Sequence, residues 1–152
     1  MPGLEYEMTY RLKVRGPLAA TDGSPRGRRE YWEMSDGTLR GPRIDAAIVM
    51  PGSDWFAVSD DRFGRPDVRV QFLTADGALV LLHYTGLVER TAAFTEAAAA
   101  GAETSWADQY MRMAMSFDTG AEKYAWLNES LFIAEGRLAG RAEIEYAIYR
   151  VT

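Results

Sequence analysis

The first residues of the chain alternate between apolar and polar side chains, and this pattern constrains the fold more than any other feature. From Leu4 to Val14 every second residue is apolar or aromatic, and the residues between them are charged or Thr. Successive side chains of a β-strand point to opposite faces, so a period of two predicts a half-buried strand.

Further strands follow at regular intervals. Asp76-Gly77, flanked by β-forming residues, is the strongest hairpin signal in the chain. Pro51-Gly52 is expected to separate two neighbouring strands. After the first strand, the pattern predicts strands at 28–34, 43–50, 55–58, 67–73, 78–84, 110–117, 131–135 and 142–151.

One segment has a different character. Thr91–Gly101 is rich in Ala, which favours a helix, and a final Gly is a common helix terminator. We expect one sizeable helix here, within a 91–109 insertion that caps or flanks the sheet. Gly120–Asn128 is expected to form a tight excursion or one helical turn.

The spacing of strands and turns therefore predicts one all-β domain over residues 1–152. Eight to ten strands with turns every 8–12 residues are typical of a barrel or a sandwich. A closed antiparallel β-barrel with one short helical insertion is favoured because few strands have the features of protected edges.

Composition excludes several classes of function. The net charge of -5 disfavours nucleic acid and membrane surfaces as partners. The absence of Cys and the single His argue against a metal site, and no nucleotide-binding motif points to a cofactor. The N-terminus carries Glu5 and Glu7 where a signal peptide would be basic, so a cytoplasmic protein is expected.

Two acidic positions are candidates for catalysis. In the Pro51–Trp55 segment, Asp54 lies beside the Trp55 indole, which can stack on a flat ligand; the alternative is an Asx-turn carboxylate with an ordinary packed Trp. Asp67 and Arg69 share one strand face, roughly 6–7 Å apart. They point either into a barrel interior, where they can move a proton and bind an oxyanion, or into solvent as a surface pair.

The remaining candidates are aromatic or basic. His83 and Tyr84 point to opposite faces of one strand, so only one of them can reach a shared cavity. A lone His on an apolar face is more often structural than catalytic, although its pKa range suits proton transfer. The other candidates are Tyr110, Arg112, Tyr124 and Trp126; the aromatic ones either wall a pocket or plug a barrel end.

Taken in order along the chain, these segments resemble the domain-of-unknown-function 3237 family of small bacterial and fungal proteins. The resemblance extends from the first strand to the C-terminus. It rests on the motifs Gly41–Ile44, Pro51–Trp55, Asp67-Val68-Arg69, Thr74–Ala78, Gly86, Tyr110-Met111-Arg112, Phe117-Asp118-Thr119 and Tyr124–Asn128.

The resemblance implies a compact barrel similar to lipocalin-like and allene-oxide-cyclase-like barrels, which often self-associates as a homodimer or larger oligomer. It implies no established reaction, and it favours an inward orientation for Asp67 and Arg69. The expected function is a cofactor-free cyclase, isomerase or lyase for a hydrophobic oxygenated small molecule. Asp54 or Asp67 would move the proton, and Arg69 or Arg112 would stabilise negative charge. The alternatives are a non-catalytic carrier of such a ligand and a scaffold for a partner enzyme.

Overall fold

The computed structural model describes residues 1–152, most of which lie in β-strands. A nine-residue α-helix, α1 (Ala92–Ala100), and a 3₁₀-helix (Glu122–Leu127) interrupt the strands. The strands are β1 (Leu4–Ala20), β2 (Arg28–Gly41), β3 (Ile44–Val58), β4 (Phe63–Arg65), β5 (Asp67–Thr74), β6 (Leu79–Glu89), β7 (Met111–Asp118), β8 (Phe132–Gly140) and β9 (Glu143–Val151).

All strand pairings are antiparallel and follow the chain closely. The hydrogen-bonded order β1–β2–β3–β5–β6–β7–β8–β9 returns to its start, because β9 also pairs with β1. The short strand β4 bridges one end of β3 to β6. The result is a β-barrel-like sheet, which confirms the predicted mostly-β antiparallel fold with one short helix.

The prediction that Pro51-Gly52 separates two strands is wrong. β3 continues through it, with irregular register against β5 on both sides of Met50. Gly52 lies so close to β5 that a Cβ there would be 2.8 Å from Cβ of Val70. The Pro-Gly pair therefore forms an irregularity inside a long strand, and irregularities of this kind redirect a strand without ending it.

The alternation in β1 holds for only part of the strand. Tyr10 and its second neighbours on either side are buried as predicted, but Leu4 and Tyr6 are about half exposed. A register shift against β9 between Tyr6 and Met8 brings Glu7 inward. The Glu7 carboxylate accepts hydrogen bonds from two arginine side chains, which compensate its burial.

A layer of three tyrosines, Tyr10, Tyr84 and Tyr146, divides the interior of the sheet; it is called the tyrosine layer below. Tyr10 and Tyr146 are stacked with ring centroids 6.0 Å apart, and Tyr84 meets both rings edge-on. On the side of the 3₁₀-helix the interior is filled by aromatic and aliphatic side chains. On the other side, beneath α1, it leaves a partly open cavity.

Candidate active site

The candidate site is built around Asp54, in the second half of β3. The strand register places Asp54 opposite Trp32 of β2 and opposite Val68 of β5. Its side chain points into the barrel-like sheet, and the residue is only 8 % exposed. Asp54 is therefore a carboxyl group buried inside the barrel-like sheet, on the opposite face of β3 from the exposed Trp55.

The surroundings of Asp54 favour its protonated form. Burial is the main cause of a pKa raised to about 7, and the nearby Asp67 and Glu30 carboxylates raise it further. One carboxyl oxygen, Oδ1, accepts a hydrogen bond from the Asp67 backbone N–H at 3.0 Å, which opposes the rise. The second oxygen accepts no hydrogen bond from the protein and is free to meet a ligand.

Asp54 opens onto a cavity of about 530 Å³, called the inner cavity below. Helix α1 covers it with Phe94 and Ala98. Thr91 caps the start of α1, and Gly101 ends it in the left-handed conformation, as predicted. Most of the wall is apolar, including Leu12, Trp32, Met34, Phe56, Val88 and Met111.

The floor of the inner cavity comes from the tyrosine layer, through Tyr84 and Tyr146. Burial raises the pKa of all three tyrosines of the layer, which keeps their hydroxyl groups neutral around pH 7. A neutral phenol donates a hydrogen bond, so these hydroxyls can stabilise a negatively charged oxygen. Tyr10 Oη is buried without a hydrogen-bond partner.

Sequence reasoning missed Trp32 and Glu30. The Trp32 indole N–H donates to Glu30 Oε2 at 2.9 Å, and Arg28 holds the other oxygen of the same carboxylate. Both Trp32 and Glu30 line the inner cavity. Their spacing of two along β2 was the available signal, but only the pairing of β2 with β3 shows that they lie beside Asp54.

The prediction that Asp67 and Arg69 point inward is wrong. The inward positions of β5 are taken by Val68, Val70 and Phe72, which are fully or almost fully buried, so the alternate residues face outward. The Asp67 carboxylate is 3.0 Å from Nε2 of His83. Arg69 and His83 border an outer groove of about 440 Å³ that does not include Asp54.

Three further candidates also lie on the outer face. Trp55 is about half exposed and packs edge-on against Tyr31. Tyr110 is similarly exposed, with the Arg112 guanidinium 5.1 Å from its ring centroid. Arg112 also forms an ion pair with a glutamate of β8. A group on this face cannot reach a ligand bound beside Asp54.

The last two candidates, Tyr124 and Trp126, lie at the opposite end of the molecule from the inner cavity. Tyr124 Oη donates to Asp76 Oδ1 at 2.7 Å, and the guanidinium of Arg43 stacks 3.6 Å from the Trp126 ring. They border an open groove of about 590 Å³ together with Lys123. Of the ten candidates, the structure therefore brings only Asp54 and Tyr84 together in the inner cavity.

Two other kinds of feature are absent from the structure. No group of three His, Asp or Glu side chains is arranged to hold a metal ion. Neither helix has the length and hydropathy of a membrane span.

The chain is thus a small barrel-like protein with a buried carboxyl group beside a largely apolar cavity. A family model described as a protein of unknown function (DUF3237) matches residues 2–151, and the chain belongs to this family. A UPF0311 protein from Bradyrhizobium diazoefficiens is 25% identical over 146 residues, which cover 95% of each chain.

Two solved structures share the fold. A β-barrel-like protein from Acinetobacter baumannii matches with a TM-score of 0.82 at 25% identity, over 100% of this chain and 97% of its own. A protein from Penicillium herquei described as an enzyme matches with a TM-score of 0.71 at 24% identity, over 99% of this chain and 95% of its own.

Proposed function

We propose that the protein is a cofactor-independent enzyme that moves a proton on an apolar, oxygenated small molecule inside a closed eight-stranded barrel. Cyclisation, isomerisation and elimination all fit this chemistry. The observation that carries the proposal is Asp54, a buried carboxyl group with a pKa near 7 that opens onto an apolar cavity of about 530 Å³. A general acid or base works best when its pKa is close to the working pH.

The proposed reaction begins with an apolar substrate displacing water from the inner cavity. The carboxylate form of Asp54 then takes a proton from a carbon next to a carbonyl group, and the electron pair of the broken C–H bond forms an enolate. The resulting carboxylic acid returns the proton to a different atom of the substrate. The apolar wall limits the positions that the substrate can adopt, which favours one reactive geometry.

The enolate oxygen needs hydrogen-bond donors. The neutral hydroxyls of Tyr84 and Tyr146 lie at the floor of the same cavity and can supply them. They take the role that the sequence assigned to Arg69 or Arg112, whose side chains lie on the outer face. The Trp32 indole, fixed by its hydrogen bond to Glu30, offers a flat apolar surface for the substrate.

A non-catalytic carrier of the same kind of ligand is the alternative, and the predominantly apolar wall suits it equally well. The enzyme proposal explains in addition why a carboxyl group is kept in an apolar cavity, where a carrier would be more stable without it. The Penicillium herquei enzyme shows that a protein of similar fold performs catalysis, although this likeness concerns the fold alone.

Deuterium exchange tests the proposal. With 2-tetralone, an apolar ketone, in D₂O, the wild-type protein should accelerate exchange at the carbon between the ring and the carbonyl group, as measured by NMR. Asp54→Asn should reduce the acceleration by about 100-fold or more, because general base catalysis typically contributes at least that much.

Asp45→Asn is the matched control, since Asp45 lies on the same strand but on the exposed outer face. Exchange by Asp54→Asn at the wild-type rate would remove Asp54 from the mechanism. Tight binding of 2-tetralone without exchange would favour the carrier.

A further inference from the structure

Two arginines border the inner cavity without forming an ion pair. Arg90 follows β6, Arg141 lies in the turn between β8 and β9, and both line the cavity. The Arg90 guanidinium donates only to the backbone carbonyls of Ser59 and Asp61, at 3.1 and 2.9 Å. The Arg141 guanidinium donates only to the carbonyl of Ala100 at the end of α1, at 3.3 Å.

The acidic side chains at the edge of the same cavity do have partners. Glu30 forms an ion pair with Arg28 at 3.1 Å, and Glu143 forms one with Arg11 at 3.6 Å. The acidic groups at the cavity edge are therefore held in ion pairs, whereas neither arginine forms one, although the Asp61 carboxylate is near enough to interact with the charge of Arg90. This imbalance gives the edge a local preference for an anion.

Both guanidinium groups retain hydrogen-bonding capacity for a ligand. A guanidinium carries five N–H donors, and the bonds of Arg90 and Arg141 engage a single nitrogen, Nη2, in each side chain. The remaining N–H groups can pair with the two oxygens of a carboxylate. The chain as a whole carries a charge of -5, so such a local site is needed to attract an anion against the general repulsion.

Contacts with the end of α1 place the exposed Arg141 side chain at the cavity edge. The next residue, Ala142, has a φ of 55°, a left-handed conformation that is unfavourable for a residue with a Cβ. The Arg141 guanidinium rests on Gly101, where a Cβ would be 2.7 Å from Cζ of Arg141. The φ of Ala142 is typical of a two-residue hairpin turn, here between β8 and β9.

We infer that the ligand of the inner cavity is an amphipathic anion, an apolar molecule with one carboxylate-like group held between Arg90 and Arg141. Its apolar body extends along Trp32 and the neighbouring apolar wall toward Asp54. The inference rests on the proposed function of the same cavity and adds the class of substrate. It also explains how a substrate is oriented, because the anionic end stays at the edge while the other end reaches the carboxyl group.

Calorimetric titration with two probes of nearly equal shape tests the inference. 2-Naphthoate carries a carboxylate at pH 6, and 2-naphthamide is neutral. The wild-type protein should bind 2-naphthoate at least ~10-fold more tightly, since charge-assisted hydrogen bonds to a carboxylate contribute at least that much. 2-Tetralone should compete with both probes, which places them in the inner cavity.

The double variant Arg90→Gln, Arg141→Gln should lose the preference for 2-naphthoate, because glutamine keeps an N–H donor for the carbonyl groups but has no charge. Arg29→Gln is the matched control: Arg29 is exposed on β2 and likewise donates only to a backbone carbonyl, that of Trp55. It should keep the full preference. Circular dichroism confirms that each variant is folded.

Equal affinity of the wild-type protein for the two probes would overturn the inference, and so would a preference that survives in the folded double variant. Failure of 2-naphthoate to bind would overturn it as well. These results are separate from the deuterium exchange at Asp54. A protein that exchanges 2-tetralone but shows no preference for 2-naphthoate retains the proposed function and loses only the anionic substrate.

Discussion

The two ends of the barrel-like sheet use their interiors in opposite ways. Toward the 3₁₀-helix, Phe72, Phe117, Leu127 and Phe132 pack against one another and leave no room for a ligand. Beneath α1 the interior is a cavity of about 530 Å³ with a buried carboxyl group on its wall. The strands on both sides are the same, so the difference lies in the side chains that the strands direct inward.

The comparison shows a division between stability and function within one sheet. Close packing in the filled end gains dispersion energy and hides apolar surface from water. The open end forgoes part of that packing and holds an acid whose ionised form is disfavoured by burial. The tyrosine layer separates the two ends and contributes to both, because Tyr84 is packed on one side and faces the cavity on the other.

The largest effect is expected from matched truncations in the two ends. Phe72→Ala should lower the free energy of unfolding by about 3–5 kcal/mol, because Phe72 is fully buried in the filled end. Phe94→Ala should cost only about 1 kcal/mol, because Phe94 is half-buried and borders existing empty space. Urea denaturation measures both values. Equal losses would mean that the cavity end is packed as tightly as the filled end.

A second effect on the free energy of unfolding should come from the buried Asp54 carboxyl group, and it should depend on pH. The pKa of Asp54 is raised on folding from an ordinary value of about 4 to about 7, so the folded state binds the proton more tightly than the unfolded state. The buried Asp54 carboxylate therefore lowers the stability of the folded state. This cost is absent below about pH 4, grows between about pH 4 and about pH 7, and is constant at higher pH.

Asp54→Asn removes that cost and keeps an acceptor for the Asp67 N–H. The variant should therefore be more stable than the wild type by about 4 kcal/mol at pH 8 and almost equally stable at pH 4. Denaturant titrations at the two pH values provide the test. A stability difference that does not change with pH would contradict the raised pKa.

The smallest effect on stability is expected at Asp76, in the filled end. Here the ionised carboxylate stabilises the folded state, whereas that of Asp54 destabilises it. The Asp76 carboxylate accepts hydrogen bonds from Lys123, Thr74 and Tyr124, and these hold its pKa below the ordinary range. A lowered pKa stabilises the folded state above the ordinary value of about 4, and this stability is lost as the pH falls through the folded-state pKa.

Asp76→Asn should therefore be less stable than the wild type at pH 7, and the deficit should shrink toward pH 3. Because Asp76 is exposed, the change should be smaller than that of either buried variant and weaker in high salt. Thermal unfolding at the two pH values measures it. A deficit that is unchanged at pH 3 would show that the carboxylate charge is not its cause.

The sequence predicted the class of fold because alternation and turn residues are local signals. Asp76-Gly77 turns the chain between β5 and β6, and Thr91 and Gly101 bound α1, as expected. The site was predicted less well. Asp54 and Tyr84 were among the candidates and lie in the inner cavity, whereas Asp67 and Arg69 were assigned to the wrong face.

The physical reason for the wrong face is that a strand read alone gives two faces without saying which is buried. One face of β5 carries the apolar side chains of Val68, Val70 and Phe72. This face buries more apolar surface inside the sheet than the face with Asp67 and Arg69 could, so its packing decides the orientation of the strand. Trp32 and Glu30 were missed for a related reason. Their place beside Asp54 depends on the register between β2 and β3.

The sequence by itself determined a long-stranded antiparallel sheet with one alanine-rich helix, since these follow from the period of the side chains and from residues that favour turns and caps. Only the tertiary structure decided which end is filled, which carboxyl group is buried and which arginines form no ion pair. Those outcomes depend on contacts between residues far apart in the chain, because burial and charge compensation are properties of a packed neighbourhood and not of a single strand.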